Sequence, residues 1–181
     1  MKKLCLVLLI IVFQSSCIPI RIAPNISDYK LSKGNRFRKG LPKKTVFVFE
    51  DPKEAGDFYD YINTKYQLNN HYVDVEVPFS IEENQYYFSF YEVEIPTKTI
   101  NLIPILLDKL LTEAVDTEPI FNEVHTSRMG NYYLAIEVYS NQENDCLAQN
   151  SSKKEAVLAY LRHLKKEYLL TDNYNEVIFK D

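Results

Sequence analysis

Residues 86–94 read YYFSFYEVE and residues 73–77 read VDVEV. Both stretches alternate in chemistry from one position to the next, the period of a strand whose successive side chains point to opposite faces. In an antiparallel hairpin, opposed residues have numbers of constant sum. Setting Val73, Val75 and Val77 against Phe88 and Phe90 requires an odd sum, such as Val77 with Phe88. The same parity puts Asp74 and Glu76 beside Tyr87, Ser89 and Tyr91, so one face is core and the other a polar, tyrosine-rich surface.

Upstream, residues 44–50 (KTVFVFE) are β-branched and aromatic, which predicts a strand covered on both faces. Asp51, Pro52 and Glu54 form a capping-box pattern. They predict a helix that buries Ala55, Phe58, Tyr59, Ile62 and Tyr66 along one side and ends at Asn69-Asn70.

Downstream, a second helix is predicted over Leu102–Ala114, capped by Asn101, with Ile103, Leu106, Leu107, Leu110 and Leu111 inward. Residues 116–131 show no period and read as a loop. Residues 132–140 (YYLAIEVYS) predict a fourth strand. Ser152 followed by Glu155 marks a last helix with Val157, Leu158, Leu161, Leu164 and Tyr168 buried, and Glu176–Lys180 a short final strand. The expected class is α+β, an antiparallel sheet with helices packed on one face. The element order matches a ferredoxin-like βαββαβ arrangement plus a C-terminal helix. Such a fold hosts many activities and selects none.

The N-terminus carries a different signal. Met1-Lys2-Lys3 precedes ten apolar residues, Leu4 to Phe13, and then Gln14-Ser15-Ser16-Cys17. Basic residues, an apolar run and small residues before a cleavage point are the parts of a secretory signal. Ten residues are too few to span a bilayer core, which takes roughly 20 in a helix. The segment resembles the lipobox of bacterial lipoproteins: Ser15, Ser16 and Cys17 match, while Gln14 stands where leucine or another aliphatic is usual. The resemblance implies cleavage after Ser16, a lipid on Cys17, and a protein anchored in the cell envelope facing the periplasm or the exterior. The alternative is ordinary cleavage that leaves Cys17 free. Residues 1–16 then form the signal peptide, 17–43 the lipidated N-terminus with a basic tether, and 44–181 one α+β domain.

Charge separates the last two parts. Residues 18–45 hold eight basic residues against Asp28 alone, net +7, and residues 46–181 are net −13. A polybasic stretch beside an acyl chain can hold a protein to an anionic membrane. A solvated tether, or an arm lying on its own acidic domain, accounts for the same charges. With Cys17 modified, Cys146 has no disulfide partner in the mature chain and reads as an inert thiol.

Known catalytic signatures are missing. None of the four glycines, Gly34, Gly40, Gly56 and Gly130, lies in a phosphate-cradling or dinucleotide motif, and no Gly-x-Ser-x-Gly elbow occurs. His71 falls in a turn and His163 on the exposed side of the last helix. Glu123 and His125 provide two ligands, too few for a closed metal site. Asp74, Glu76, Tyr87 and Tyr91 form the one candidate ligand face: an acid/base pair beside rings able to stack on a sugar, or equally a solvated sheet face that needs no ligand. With 14 tyrosines, 10 phenylalanines and no tryptophan, most aromatics read as core and interface. The expectation is a non-enzymatic protein-binding or assembly module of the envelope, without cofactor. The alternative is an envelope glycan-binding protein or hydrolase. The partners implied are the membrane, through Cys17, and another envelope protein, and no nucleic acid.

Overall fold

The computed structural model describes residues 17–20, 22–101 and 127–175. The signal peptide, the predicted 102–114 helix, the 116–126 part of the predicted loop, Glu123, His125 and the 176–180 strand lie outside them. The chain forms two compact units, Met1–Pro24 with Ile95–Asn131, and Asn25–Glu94 with Tyr132–Asp181. In the first, β1 (Cys17–Ile20) pairs antiparallel with the far part of β5 (Asn84–Asn101), Cys17 opposite Asn101. Asn101, expected to cap a helix, is thus the last residue of a strand. Among the described residues no helix is long and apolar enough to cross a membrane.

The second unit contains β2 (Lys30–Lys33), α1 (Gly34–Phe37), β3 (Thr45–Asp51), α2 (Asp57–Lys65), β4 (Val77–Ile81), the near part of β5, most of β6 (Ser127–Tyr139) and α3 (Lys154–Leu170). Its five strands form an antiparallel sheet in the order β2-β3-β6-β5-β4. This is the α+β architecture expected. The ferredoxin-like arrangement is not shown, because it sets the 44–50 strand between the third and fourth strands, whereas β3 lies between β2 and β6. Direct pairing of β5 with β6 keeps sequence neighbours adjacent, which is the commoner and less costly solution.

The hairpin register is the one read from parity: Val77 opposes Phe88 and Phe79 opposes Tyr86. The strand lies later than expected, however. Residues 73–76 are bends, and Val75 is 45% exposed while Val73 is buried. Glu76, at φ 57°, breaks the alternation. β4 is an edge strand, and Pro78 on it gives no donor to a further strand.

One sheet face carries Phe47, Phe49, Phe88, Phe90, Leu134, Ile136 and Val138, which pack with the buried sides of α2 and α3. α3 buries Val157, Leu161, Leu164 and Tyr168, as its spacing predicts. The expected Ser152 cap does not form: the N-cap position is Lys153, with no side-chain cap bond, and Ser151 Oγ accepts from Lys153 N at 3.1 Å in the turn before the helix. α2 buries Phe58, Tyr61 and Ile62, and starts six residues beyond Asp51. Gly56, at φ 92°, takes a left-handed conformation that glycine tolerates, and leads into the helix. Ala55, expected inward, is exposed. Residues 127–131, read as loop, extend β6 instead.

Asp51 closes β3 and is only 7% exposed. Its carboxylate accepts from Lys53 N at 3.1 Å and from the Tyr168 hydroxyl at 3.0 Å. Burial pushes this carboxyl above its ordinary value, against the opposing pull of those two bonds. A folded acid with a raised value binds its proton more tightly than the unfolded chain does. Asp51 therefore subtracts stability as pH rises from the ordinary carboxylate range through its raised folded value. Asp51→Asn keeps an acceptor for Lys53 and Tyr168. It is expected to flatten that part of the stability curve, read by urea unfolding between about pH 4 and 7. An unchanged slope would show that another group causes it.

The segment read as a tether is, from Asn25 on, part of the folded unit. β2 pairs with β3, Lys30 opposite Val48 and Lys33 opposite Thr45. Tyr29 stacks on Phe47 with ring centroids 5.0 Å apart, and Phe37 meets Tyr133 edge-on at 5.5 Å. Asp28 joins Lys165 at 2.6 Å. Asp145 accepts from Thr45 N, Thr45 Oγ1 and Lys33 Nζ at 2.9–3.0 Å. Burial alone would raise Asp145, but those donors hold it below the usual carboxylate range. Gly34 permits a close turn, since a Cβ there would lie 2.5 Å from Pro42 O. The arm from Asn25 to Lys44 thus lies on its own domain, with Lys33 and Lys44 among its basic residues paired to domain carboxylates.

Candidate functional site

On the sheet face opposite α2 and α3, β5 presents Tyr87, Ser89 and Tyr91, and β6 presents Glu137 and Tyr139. The registers of β3 and β4 set this parity. Tyr87 stacks on Tyr139 with centroids 5.8 Å apart and planes at 23°. The Tyr91 hydroxyl donates to Glu137 Oε1 at 2.7 Å. Glu137 Oε2 forms an ion pair with Lys44 Nζ at 3.3 Å, without hydrogen-bond alignment. Lys44 Nζ also sits 4.5 Å above the Tyr139 ring. Ser89 Oγ accepts from Glu76 N at 3.2 Å, and the Glu76 carboxylate is hydrogen-bonded by Tyr139.

Tyr87, Tyr91 and Glu76 thus join one connected cluster. Asp74 stands exposed at its margin, its carbonyl accepting from Phe90 N at 3.0 Å. Three members went unread in the sequence: Lys44, Glu137 and Tyr139. The available signal was Glu137, the one charge inside the otherwise uncharged strand 132–140. A carboxylate in mid-strand needs a cation, and the strand alone does not say which.

Burial, and then the neighbouring Glu137, push the Tyr91 hydroxyl above its ordinary value. Burial, and then Glu76, do the same for Tyr139. Both are neutral donors at physiological pH. Glu137, only 6% exposed, accepts from Tyr91 and pairs with Lys44, so the contacts that hold the cluster together are stacking, hydrogen bonding and one ion pair.

The other residues singled out do not assemble. His71 is exposed beyond α2, and His163 is exposed on α3, 3.9 Å from Glu167. Cys146 is buried and its thiol is pushed up by that burial, which keeps it protonated and unreactive. Among the described residues no group of three His, Cys, Asp or Glu side chains could hold a metal ion. Ser16 lies outside the described residues, and Cys17 lies in β1.

Shallow recesses open elsewhere on the unit among the described residues. One of about 590 Å³ is bounded by Ser32, Lys33, Arg36, Gln149, Asn150 and Lys154. A second lies along α3 beside Asp28, and a third beside the β4–β5 turn.

No known family model, curated protein or solved structure matches the chain.

Proposed function

We propose that the chain is a lipid-anchored, non-enzymatic module of the bacterial cell envelope that binds another envelope protein. The observation that carries this reading is the run from Met1 to Cys17, in which two lysines, ten apolar residues and a Ser-Ser-Cys end follow one another in the order of an exported lipoprotein.

The character of the Tyr87–Tyr139 cluster supports the binding half. Its side chains hold one another through the Tyr91–Glu137 hydrogen bond, the Lys44–Glu137 ion pair and the Tyr87–Tyr139 stack, so the surface is ordered before a partner arrives and little side-chain entropy remains to be lost on docking. Tyrosines fixed in this way are the residues that anchor protein interfaces. A glycan-binding or hydrolytic role for Asp74, Glu76, Tyr87 and Tyr91 has less support, because the Tyr91 hydroxyl is engaged by Glu137 and one face of Tyr87 is covered by Tyr139.

Mass spectrometry of the protein taken from native membranes tests the anchor, with the mass of an acylated Cys17 expected; an unmodified thiol would end the anchored reading. Photo-cross-linking from a residue placed at Asp74 tests the partner. A single protein adduct is expected, whereas glycan-dependent NMR shifts of Tyr87 and Tyr91 would transfer the face to the alternative.

A further inference from the structure

The basic residues from Lys33 to Lys44 divide into two kinds. Lys33 and Lys44 are tied to Asp145 and Glu137 and hold the arm to the sheet. Arg36, Arg38, Lys39 and Lys43 are exposed, apart from Arg36's place at the 590 Å³ recess, and meet no ion-pair partner among the described residues. These four lie on one compact excursion between β2 and β3. It is closed by Gly34 N to Lys44 O and Asn35 N to Pro42 O, each at 3.0 Å. Its apolar side chains, Phe37 and Leu41, are half-buried and leave the cations outermost. Lys154, at the start of α3 and also without an ion-pair partner among the described residues, lines the same recess as Arg36.

We propose that the 34–44 excursion, with Lys154, is a docking surface for the anionic headgroups of a phospholipid membrane. This rests on the anchored reading above, which places the chain at such a surface. The remaining domain is strongly acidic, yet repulsion between it and a membrane is screened beyond about 8 Å at physiological salt. The local cations therefore decide contact, at roughly 1 kcal/mol or about fivefold in affinity each. No apolar side chain extends beyond them, so the contact is electrostatic, salt-sensitive and indifferent to acyl-chain chemistry. Arg36 and Lys154, on two elements, bracket a recess large enough for a phosphate group.

The full chain is placed on vesicles of phosphatidylcholine, or of the same lipid mixed with phosphatidylglycerol, and its amines are acetylated and mapped by peptide mass spectrometry. Labelling of Lys39, Lys43 and Lys154 is expected to fall at least about threefold on the anionic vesicles alone, and to recover in 1 M salt. Lys65, held by Glu167 at 2.7 Å, serves as the internal reference. In the variant Arg36→Gln/Arg38→Gln/Lys39→Gln/Lys43→Gln, the protection of Lys154 is expected to vanish. Equal labelling on both vesicles would overturn the proposal. So would equal protection by soluble poly(glycerol phosphate) at the same phosphate concentration, which would assign the surface to a wall polymer. The mass of Cys17 is read from the same digest. A free Cys17 with protected lysines would fail the anchor and leave the surface; an acylated Cys17 with unprotected lysines would do the reverse.

Discussion

Phe58→Ala is expected to destabilise the larger unit by about 3–5 kcal/mol, the range for truncating a fully buried phenylalanine. Phe58 is wholly buried on α2 and meets Phe90 edge-on at 4.8 Å and Tyr168 edge-on at 5.0 Å, with Tyr61 at 5.9 Å and Phe49 at 6.2 Å. It therefore joins both helices to β3 and β5, and truncation leaves four rings without a common neighbour. Those rings are themselves packed against one another, so the cavity cannot easily collapse. A domain of this size has about 5–15 kcal/mol in all, and the variant would be near its limit. Urea unfolding measures the loss. Tyr72→Ala, at a ring 80% exposed, is the matched control and is expected to change stability by less than about 0.5 kcal/mol. A cost for Phe58→Ala below about 1.5 kcal/mol would show that the aromatic cluster is not the centre of the core.

The second large effect is an asymmetry. Lys44→Met is expected to cost about 2–4 kcal/mol, because it leaves the Glu137 carboxylate buried without its cation. The figure lies below that for a fully enclosed pair because the Lys44 side chain is 35% exposed and its attraction partly screened. Adding Glu137→Gln removes the stranded charge while keeping an acceptor for the Tyr91 hydroxyl. The double variant is therefore expected to recover at least half of the loss. A double-mutant cycle by urea unfolding reads this directly. Additive losses would mean that Lys44 stabilises the sheet through its stem and the Tyr139 ring, 4.5 Å away, and not through Glu137.

The candidate site was legible to the degree that it is local. Parity along one strand was enough to group Tyr87, Ser89 and Tyr91, and parity along the preceding segment was enough to propose Val77 opposite Phe88. Parity failed at residues 73–76, where Glu76 at positive φ interrupts the strand, a conformation that alternation of side chains does not encode. The start of α2 was misplaced for a related reason. Asp51 forms the Asx-type bond to Lys53 that a cap would form, but its carboxylate also accepts from Tyr168, 117 residues later, and the chain turns through Pro52–Gly56 before coiling.

The arm is the clearest case of misreading. Its charges suggested a solvated tether, yet Tyr29 and Leu31 alternate with Lys30 and Ser32 in a short strand pattern that the charges concealed. What turns that pattern into a strand is its edge position on β3 and the bonds that Asp145 accepts from Lys33, 112 residues earlier, and from Thr45, 100 residues earlier.

The sequence by itself determined the buried face of α3, the places of Phe58 and Ile62 on α2, the two-faced character of β3, β5 and β6, and the hairpin register. All of these follow from side-chain periodicity or short motifs, which act over a few residues. Only the tertiary structure decided that β3 lies between β2 and β6, that Lys44 is the cation for Glu137, and which basic residues of the arm remain unpaired. Those outcomes depend on contacts between distant segments, where many pairings satisfy the same local pattern and the competition for buried area and buried charge selects one.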